Sequence, residues 1–482
     1  MLPPSPMDWL PEGHLAYFVL EVVRELDLGA IEGAIQQKDP RGERPYAPKM
    51  MTALLLYAYC AGVFSSRKIE RATYEDVAFR VIAGGSQPHF TTVNAFRLAH
   101  REALAGLFVQ VLRMCVRAGL RTMGHVSLDG SKVQANASKH KAMSYGRMKD
   151  EEKRLAAEIE ALLRRAEETD AKEDAEFGRD KRGDELPAEL QRREDRVRRI
   201  REVKAELEKE AAEARAATLR ANAEELRQIV ADPAPSPKSR KAAATLAAKS
   251  DQRANELAPR DDDDDDHGAG GSVQLSLHRV PATPDGKPKN NAQRNFTDGD
   301  SRIMIRNGVF MQAYNAQAAV SEDQIIVAHG ITNNGADAEH LVPMLERVRE
   351  NCGQMPTVFT ADNGYLSEAN VGYCEKSGID AYIALRKKDA QSTEFPPATS
   401  AAHMRFVMQL KLHTPAGRAI YARRKVLTEP VFGQIKSAMG FRRFSLRGLL
   451  KVPSEWGIVA TCHNLLKLFR REAARQLAMA TI

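Results

Sequence analysis

The sequence predicts a mixed α/β protein, with an all-helical N-terminal region, a sheet-based domain and a long charged helical segment inserted into that domain. Three observations carry this. Apolar residues recur at helical spacing through the first 120 or so positions; residues 147–230 are dominated by Glu, Lys, Arg and Ala; and short β-branched or apolar runs occur at 123–135 and repeatedly after 302.

In the N-terminal region, Leu15, Phe18, Val19, Val22 and Val23 form a stripe at i, i+3, i+4, i+7 and i+8, the core face of a helix. Pro48 opens an apolar helix over 49–61 and Gly62 ends it. Ser65-Ser66 is placed to cap the next helix, and Thr73-Tyr-Glu-Asp to open another that runs through Ile82. After the break Gly84-Gly85-Ser-Gln-Pro88, Thr91-Thr92 would cap a helix over Val93–Leu104 carrying Asn94, Arg97, His100 and Arg101. Short helices, tight turns and a last helix with Asn and Arg on one side predict a helix-turn-helix-like DNA-binding domain over 1–120, with Arg97 and Arg101 as DNA contacts.

A first strand is expected around Asp129, in His125-Val-Ser-Leu-Asp-Gly-Ser-Lys-Val133. Residues 147–258 then form the charged insertion. Leu155, Ile159, Leu162 and Leu163 keep helical spacing, as do Val197, Ile200, Val203 and Leu207. Breaks at Phe177-Gly178 and Gly183–Pro187 predict an antiparallel coiled-coil hairpin, with one long solvated helix as the alternative. Asp232-Pro-Ala-Pro-Ser-Pro237 stops it, and a short basic helix follows. Residues 259–299, with the self-repelling run Asp261–Asp266, are expected as a disordered linker in which the aspartates have no fixed geometry for a metal.

From 302 the strands Ile303–Ile305 and Phe310–Val320 flank Arg306-Asn-Gly308, a hairpin turn. A strand over Gln324–Thr332, a helix from Asp337 to about Asn351, a buried strand Thr357–Ala361, a helix capped by Ser367, a strand Asp380–Leu385 and helices over Arg418–Lys436 and Trp456–Gln476 complete the pattern. This order is that of an RNase H-like fold. It assigns a catalytic domain to 121–146 and 300–452 and a C-terminal helix to 453–482.

The net charge is +7, and the acidic residues are concentrated in the insertion and the Asp run, so the flanking regions are more basic than the total and favour a polyanionic partner. Cys60, Cys115, Cys352, Cys374 and Cys462 are widely separated, without metal-ligand spacing, and read as buried thiols of a reducing compartment. No secretory leader is evident, and the apolar run 50–60 is too short to span a bilayer, so a cytoplasmic, nucleoid-associated protein with no membrane partner is expected.

Two aspartates stand at strand edges: Asp129, followed by Gly130-Ser131, and Asp362, followed by Asn363-Gly364-Tyr365. Further on, Tyr421-Ala-Arg-Arg-Lys425 precedes Glu429, and Lys436 follows it. Asp129 and Asp362 each have an alternative reading as a turn residue at a strand end, and Glu429 alone reads as a solvated helical residue. Together, three carboxylates on rigid elements suit hard divalent ions, and two such ions activate the attacking oxygen and stabilise the leaving one in phosphodiester chemistry. Lys436, seven residues after Glu429, would share nearly its helical face and hold a phosphate. Pro430 points to Glu429 lying at a helix start. Asp298 and Asp300 read as turn residues, and His340 as a capping or packing residue.

Residues 125–133, 302–340, 357–367 and 421–447 resemble the DDE transposases of bacterial insertion sequences, in the group marked by a Tyr-Arg-Glu-Lys signature. The resemblance implies an RNase H-like domain, two Mg²⁺ ions with Mn²⁺ as a substitute, and cutting and joining of double-stranded DNA at terminal inverted repeats and target. It places the metal-binding catalytic acids on Asp129, Asp362 and Glu429, the tyrosine on Tyr421 and the lysine on Lys436. The arginine stays open among Arg423, Arg424 and Lys425, because Arg424 fits the spacing from Tyr421 and Lys425 that to Glu429. Arg442 and Arg443, with Arg447 and Lys451, are further candidate DNA contacts, interleaved with Phe441 and Phe444 that either stack on bases or fill a core. A homodimer or higher oligomer on DNA is expected. The competing readings are a non-catalytic DNA-binding remnant and a nuclease that only hydrolyses.

Overall fold

A computed structural model describes residues 6–36, 45–120, 123–177, 188–258, 272–306, 308–385 and 401–480. The chain divides into two compact units, one comprising Met1–Asn136, Asp266–Leu277 and Ile303–Ile482, the other Ala137–Asp265 and His278–Arg302. In chain order the helices α1 (Leu15–Glu25), α2 (Gly29–Gln36), α3 (Pro48–Cys60), α4 (Ser66–Glu75), α5 (Val77–Ile82), α6 (Phe90–Ala99) and α7 (Arg101–Arg117) precede strand β1 (His125–Gln134). Then come β2 (Ala142–Ser144), α8 (Tyr145–Phe177), α9 (Ala188–Ala231), α10 (Pro237–Leu257), β3 (Ser272–Gln274), β4 (Gln293–Asn295), β5 (Arg302–Arg306), β6 (Val309–Ser321) and β7 (Ile326–Thr332). The rest is α11 (Leu341–Cys352), β8 (Val358–Ala361), α12 (Glu368–Lys376), β9 (Asp380–Ile383), α13 (Ala401–His413), α14 (Pro415–Gly433) and α15 (Val452–Ala480).

The first unit is built on a sheet of strand order β3-β7-β6-β1-β8-β9, with β5 paired to β6. Strands β1, β6 and β7 form an antiparallel meander, and β8 and β9 run parallel to β1. That is the RNase H-like topology. All of β7 and most of β6 are buried, as expected for strands covered on both faces. The N-terminal helices belong to this same unit: α3, buried from Met51 to Cys60, and α7 both pack on α15. The stripe Phe18, Val19, Val22 and Val23 is buried on α1.

Local chemistry moved several expected boundaries. Thr73 lies inside α4, its hydroxyl donating to the Glu70 carbonyl, and Asp76 rather than Thr73 caps α5 by accepting from the Ala78 and Phe79 amides. The helix expected over Val93–Leu104 is broken at His100 into α6 and α7, and His89 caps α6. Part of the expected linker is ordered structure: β3 adds a parallel strand beside β7, and β4 pairs with β2. Residues 259–271, including the aspartate run, and the break over 178–187 lie outside the described residues.

In the second unit α8 and α9 run antiparallel, sharing Leu155, Val197, Ile200, Val203 and Leu207 in one buried seam, which Tyr145, Met148, Val280 and Ala292 complete. Ion pairs mark the register, Glu158 with Arg193 and Glu152 with Arg201 and Lys204. The expected short basic helix is instead the 21-residue α10, which returns along α9 and buries Ala254 against Ala216 and Leu219.

Candidate active site

Two parallel neighbours deliver the two aspartates. Leu128 of β1 is opposite Ala361 of β8, so Asp129 and Asp362 follow side by side. Asp362 directly follows β8 and caps the short turn Asn363–Tyr365, accepting from the Gly364 amide at 2.8 Å. Asp129 Oδ1 accepts from the Gly130 amide at 2.9 Å, and its Oδ2 accepts from Arg424 Nη1 at 3.0 Å and Thr428 Oγ1 at 3.1 Å. Burial pushes the Asp129 carboxyl above its ordinary range; Arg424 opposes the rise and the charge of Asp362 adds to it.

The second wall is α14. Arg424 and Thr428, one helical turn apart, face Asp129. Tyr421 stands against Arg424, and burial, with the nearby aspartates contributing, raises its hydroxyl pKa. Arg423 pairs with Glu322 at 2.8 Å and Lys425 is exposed, so of the three open candidates Arg424 is the one that faces Asp129. Lys436 Nζ donates to Ser131 Oγ, and its pKa is lowered to about 8 by burial and by the charge of Arg306.

Glu429 lies elsewhere on the helix. It is exposed, one residue past Thr428, and the structure does not bring it together with Asp129 and Asp362. Pro430 is inside α14, so Glu429 is not at a helix start as expected. The expectation that Glu429 and Lys436 share a face also fails. Beyond Gly433 the chain takes a π-helical turn over Gln434–Ala438. In a regular α-helix Lys436 would be turned ~80° from Thr428. The wider π turn reduces that angle, so Lys436 joins Thr428 on the inner side.

The other predicted contacts divide. Arg97 is buried at 4% exposure, and its guanidinium donates to the Tyr59 hydroxyl, the Phe64 carbonyl, Ser445 Oγ and Asn94 Oδ1. It is a core residue, not the DNA contact expected from its helix. Arg101 is partly exposed and pairs with Glu102. Arg442 and Arg443 are exposed, Arg442 donating to the Lys436 carbonyl and Arg443 to Asn136 Oδ1, while Phe441 and Phe444 are core residues. His340 is buried and caps nothing, so it packs.

Sequence reasoning missed Thr428, Ser131 and a polar group beneath the site formed by Asp337, Asn315 and Gln317. A signal existed for the last: Asn315 and Gln317 are amides two residues apart among the alanines of one strand, hence on one face.

Among the described residues no group of three His, Cys, Asp or Glu is placed to hold a metal. The neighbouring pair Asp129 and Asp362 nevertheless fits a hard divalent ion in donor chemistry, since a carboxylate raised by burial gains from a cation, the position Arg424 takes here.

An RNase H-ordered sheet with two neighbouring aspartates, Asp129 inside β1 rather than at its edge as expected and Asp362 directly after β8, faced by basic side chains, is the framework of a nucleic-acid-processing enzyme. Two family models match the chain: a transposase DDE domain over residues 286–465, which contains Asp362 and Glu429, and a transposase domain (DUF772) over residues 4–98. Together they identify a DDE-class transposase of the insertion-sequence type, a DNA-binding enzyme. Asp129 lies between the matched spans. No curated protein and no solved structure matches the chain. Among the described residues no helix is long and apolar enough to cross a membrane.

Proposed function

We propose that the protein cuts DNA at the terminal inverted repeats of its insertion sequence and joins the ends to target DNA, using Asp129, Asp362 and Glu429 as its acids. The observation that carries this is the adjacency of Asp129 and Asp362 on parallel β1 and β8, faced by Arg424 and Lys436. Asp129 and Asp362 would hold Mg²⁺, or Mn²⁺ in its place, and Glu429, exposed in this structure, would become the third ligand on turning inward when DNA binds. Divalent ions so bound supply Lewis acidity and an activated oxygen nucleophile. Arg424, Tyr421 and Lys436 grip the phosphates around the scissile bond, and Arg442 and Arg443 hold the flanking backbone. Water is the nucleophile for hydrolysis and a DNA 3′-hydroxyl for joining.

The test is incubation of the purified protein with a duplex carrying the repeats that bound its gene, with Mg²⁺. Cleaved and joined products are expected. Unchanged cleavage by Asp129→Asn or Asp362→Asn would overturn the assignment.

The outward position of Glu429 favours one other reading, a protein that binds these ends without cutting them. Retention of full function by Asp362→Ala without metal would establish it. Joining needs two DNA ends held together, so the active form is a dimer or larger, and the charged insertion is a candidate for the contact. An unchanged mass by light scattering after deletion of 147–230 would remove the insertion from that role.

A further inference from the structure

Beneath the two aspartates lies another carboxylate that the acid pattern does not call for. Asp337 sits just past β7, before the turn Ala338–His340, and its side chain is 18% exposed. Its Oδ1 accepts from Asn315 Nδ2 at 2.7 Å and from Gln317 Nε2 at 2.8 Å. Lys132 Nζ stands 3.6 Å from it and donates to the Gly335 carbonyl at 3.1 Å. Asn315 and Gln317 are fully buried on β6, opposite Lys132 and Gly130 of β1. Gln317 Oε1 in turn accepts from the hydroxyl of Tyr365, buried three residues beyond Asp362. One carboxylate thus ties together β6, β1 and the turn that carries Asp362.

Two glycines record how closely it fits. A Cβ on Gly130 would come to 2.3 Å from Gln317 Nε2, 2.9 Å from Asn315 Oδ1 and 3.1 Å from Asp337 Oδ1. A Cβ on Gly364 would meet Asp362 Oδ1 at 3.0 Å and Asp337 Oδ2 at 3.2 Å. The Asp337 carboxylate therefore fills the space between the residue after Asp129 and the residue two beyond Asp362. The amides are committed to this arrangement. Asn315 Nδ2 is shared between Asp337 and the Asn334 carbonyl, which leaves Asn315 Oδ1 buried without a partner against Gly130. Buried amides whose acceptor is removed pay a desolvation cost, so they reorient when the acceptor changes.

We infer that Asp337 is a positioning residue: wedged between β1 and the Asp362 turn, it sets the separation of Asp129 and Asp362 required for divalent-ion binding. This rests on the reading of Asp129 and Asp362 as the catalytic pair. The experiment compares full-length wild type, Asp337→Asn, Gly364→Ala and Asp129→Asn. The readouts are Mn²⁺ affinity by calorimetry on the DNA-free protein, the Mg²⁺ concentration for half-maximal cleavage, DNA affinity and melting temperature. Asp337→Asn should keep its melting temperature and bind DNA within about twofold of wild type. It should weaken Mn²⁺ binding, and raise the Mg²⁺ requirement, by roughly ten- to hundredfold, the usual effect of losing an outer-shell partner. Gly364→Ala, whose Cβ would press on Asp362 Oδ1 as well as on Asp337 Oδ2, should move both readouts the same way. Wild-type metal affinity and metal requirement in both variants would overturn the inference. If Asp337→Asn does not fold, Asn315→Ser, which removes one of the two amides donating to Asp337, decides in its place, and wild-type metal affinity and metal requirement there would overturn the inference. Normal cleavage by Asp129→Asn would instead sink the catalytic reading beneath it.

Discussion

Asp129 and Asp362 are placed by the hydrogen-bonded register of β1 and β8, whereas Arg424, Thr428 and Glu429 are placed by the rotational phase of α14. A strand pair leaves little freedom. Once Leu128 pairs with Ala361, the next residues are neighbours, and only the turn that follows can separate them. A helix turns each residue by ~100°, so adjacent positions face different surroundings. Thr428 donates to Asp129, and Glu429, the next residue, is exposed. The sheet wall is thus preset, while the helix wall depends on a turn or side-chain movement to bring its acid in.

The sharpest way to break this contrast is at the sheet. Asp129→Asn and Asp362→Asn should each reduce cleavage about a thousandfold, roughly 4 kcal/mol of barrier, with DNA binding retained in a gel-shift assay. On the helix, Glu429→Gln should cost about a hundredfold in single-turnover cleavage if α14 brings its acid inward on DNA. Wild-type rates for that variant would confine the role of α14 to Arg424 and Thr428. Arg424→Lys keeps the charge but loses the planar guanidinium beside Asp129 and Tyr421, and should slow cleavage about tenfold.

The smallest effect is on pH. Lys436 is protonated below its depressed pKa of about 8 and loses its charge as pH rises through that value. Duplex affinity of the free protein should therefore fall about two- to fivefold between pH 7 and 9 at constant salt, because one phosphate contact is lost. Lys436→Arg, which stays charged, should flatten the profile; a wild-type profile that is already flat would contradict the assigned contact.

Much of this was legible in the chain, for identifiable reasons. Asp129 and Asp362 stand out because each is a lone acid beside a short β-branched run with a glycine one or two residues on, and it is the pair together with the later basic segment, not either acid alone, that pointed to a site. The chain order of strands was enough to name the topology, and the apolar seam of Val197, Ile200, Val203 and Leu207 announced a helix packed along one stripe. Arg97 was misread because an amphipathic helix looks the same whether its arginine meets a phosphate or, as here, Tyr59 and Ser445 from distant parts of the chain.

The sequence by itself determined the mixed α/β class, the helical character of the charged segment and the two aspartates beside short β-branched runs, because backbone periodicity and glycine placement are local properties. Only the tertiary structure decided that Arg424 rather than Lys425 faces Asp129, that Glu429 points outward, and that Asp337 lies between β1 and the Asp362 turn. Those depend on helix phase, on the π turn after Gly433 and on strand register, each fixed by packing among residues far apart in the chain.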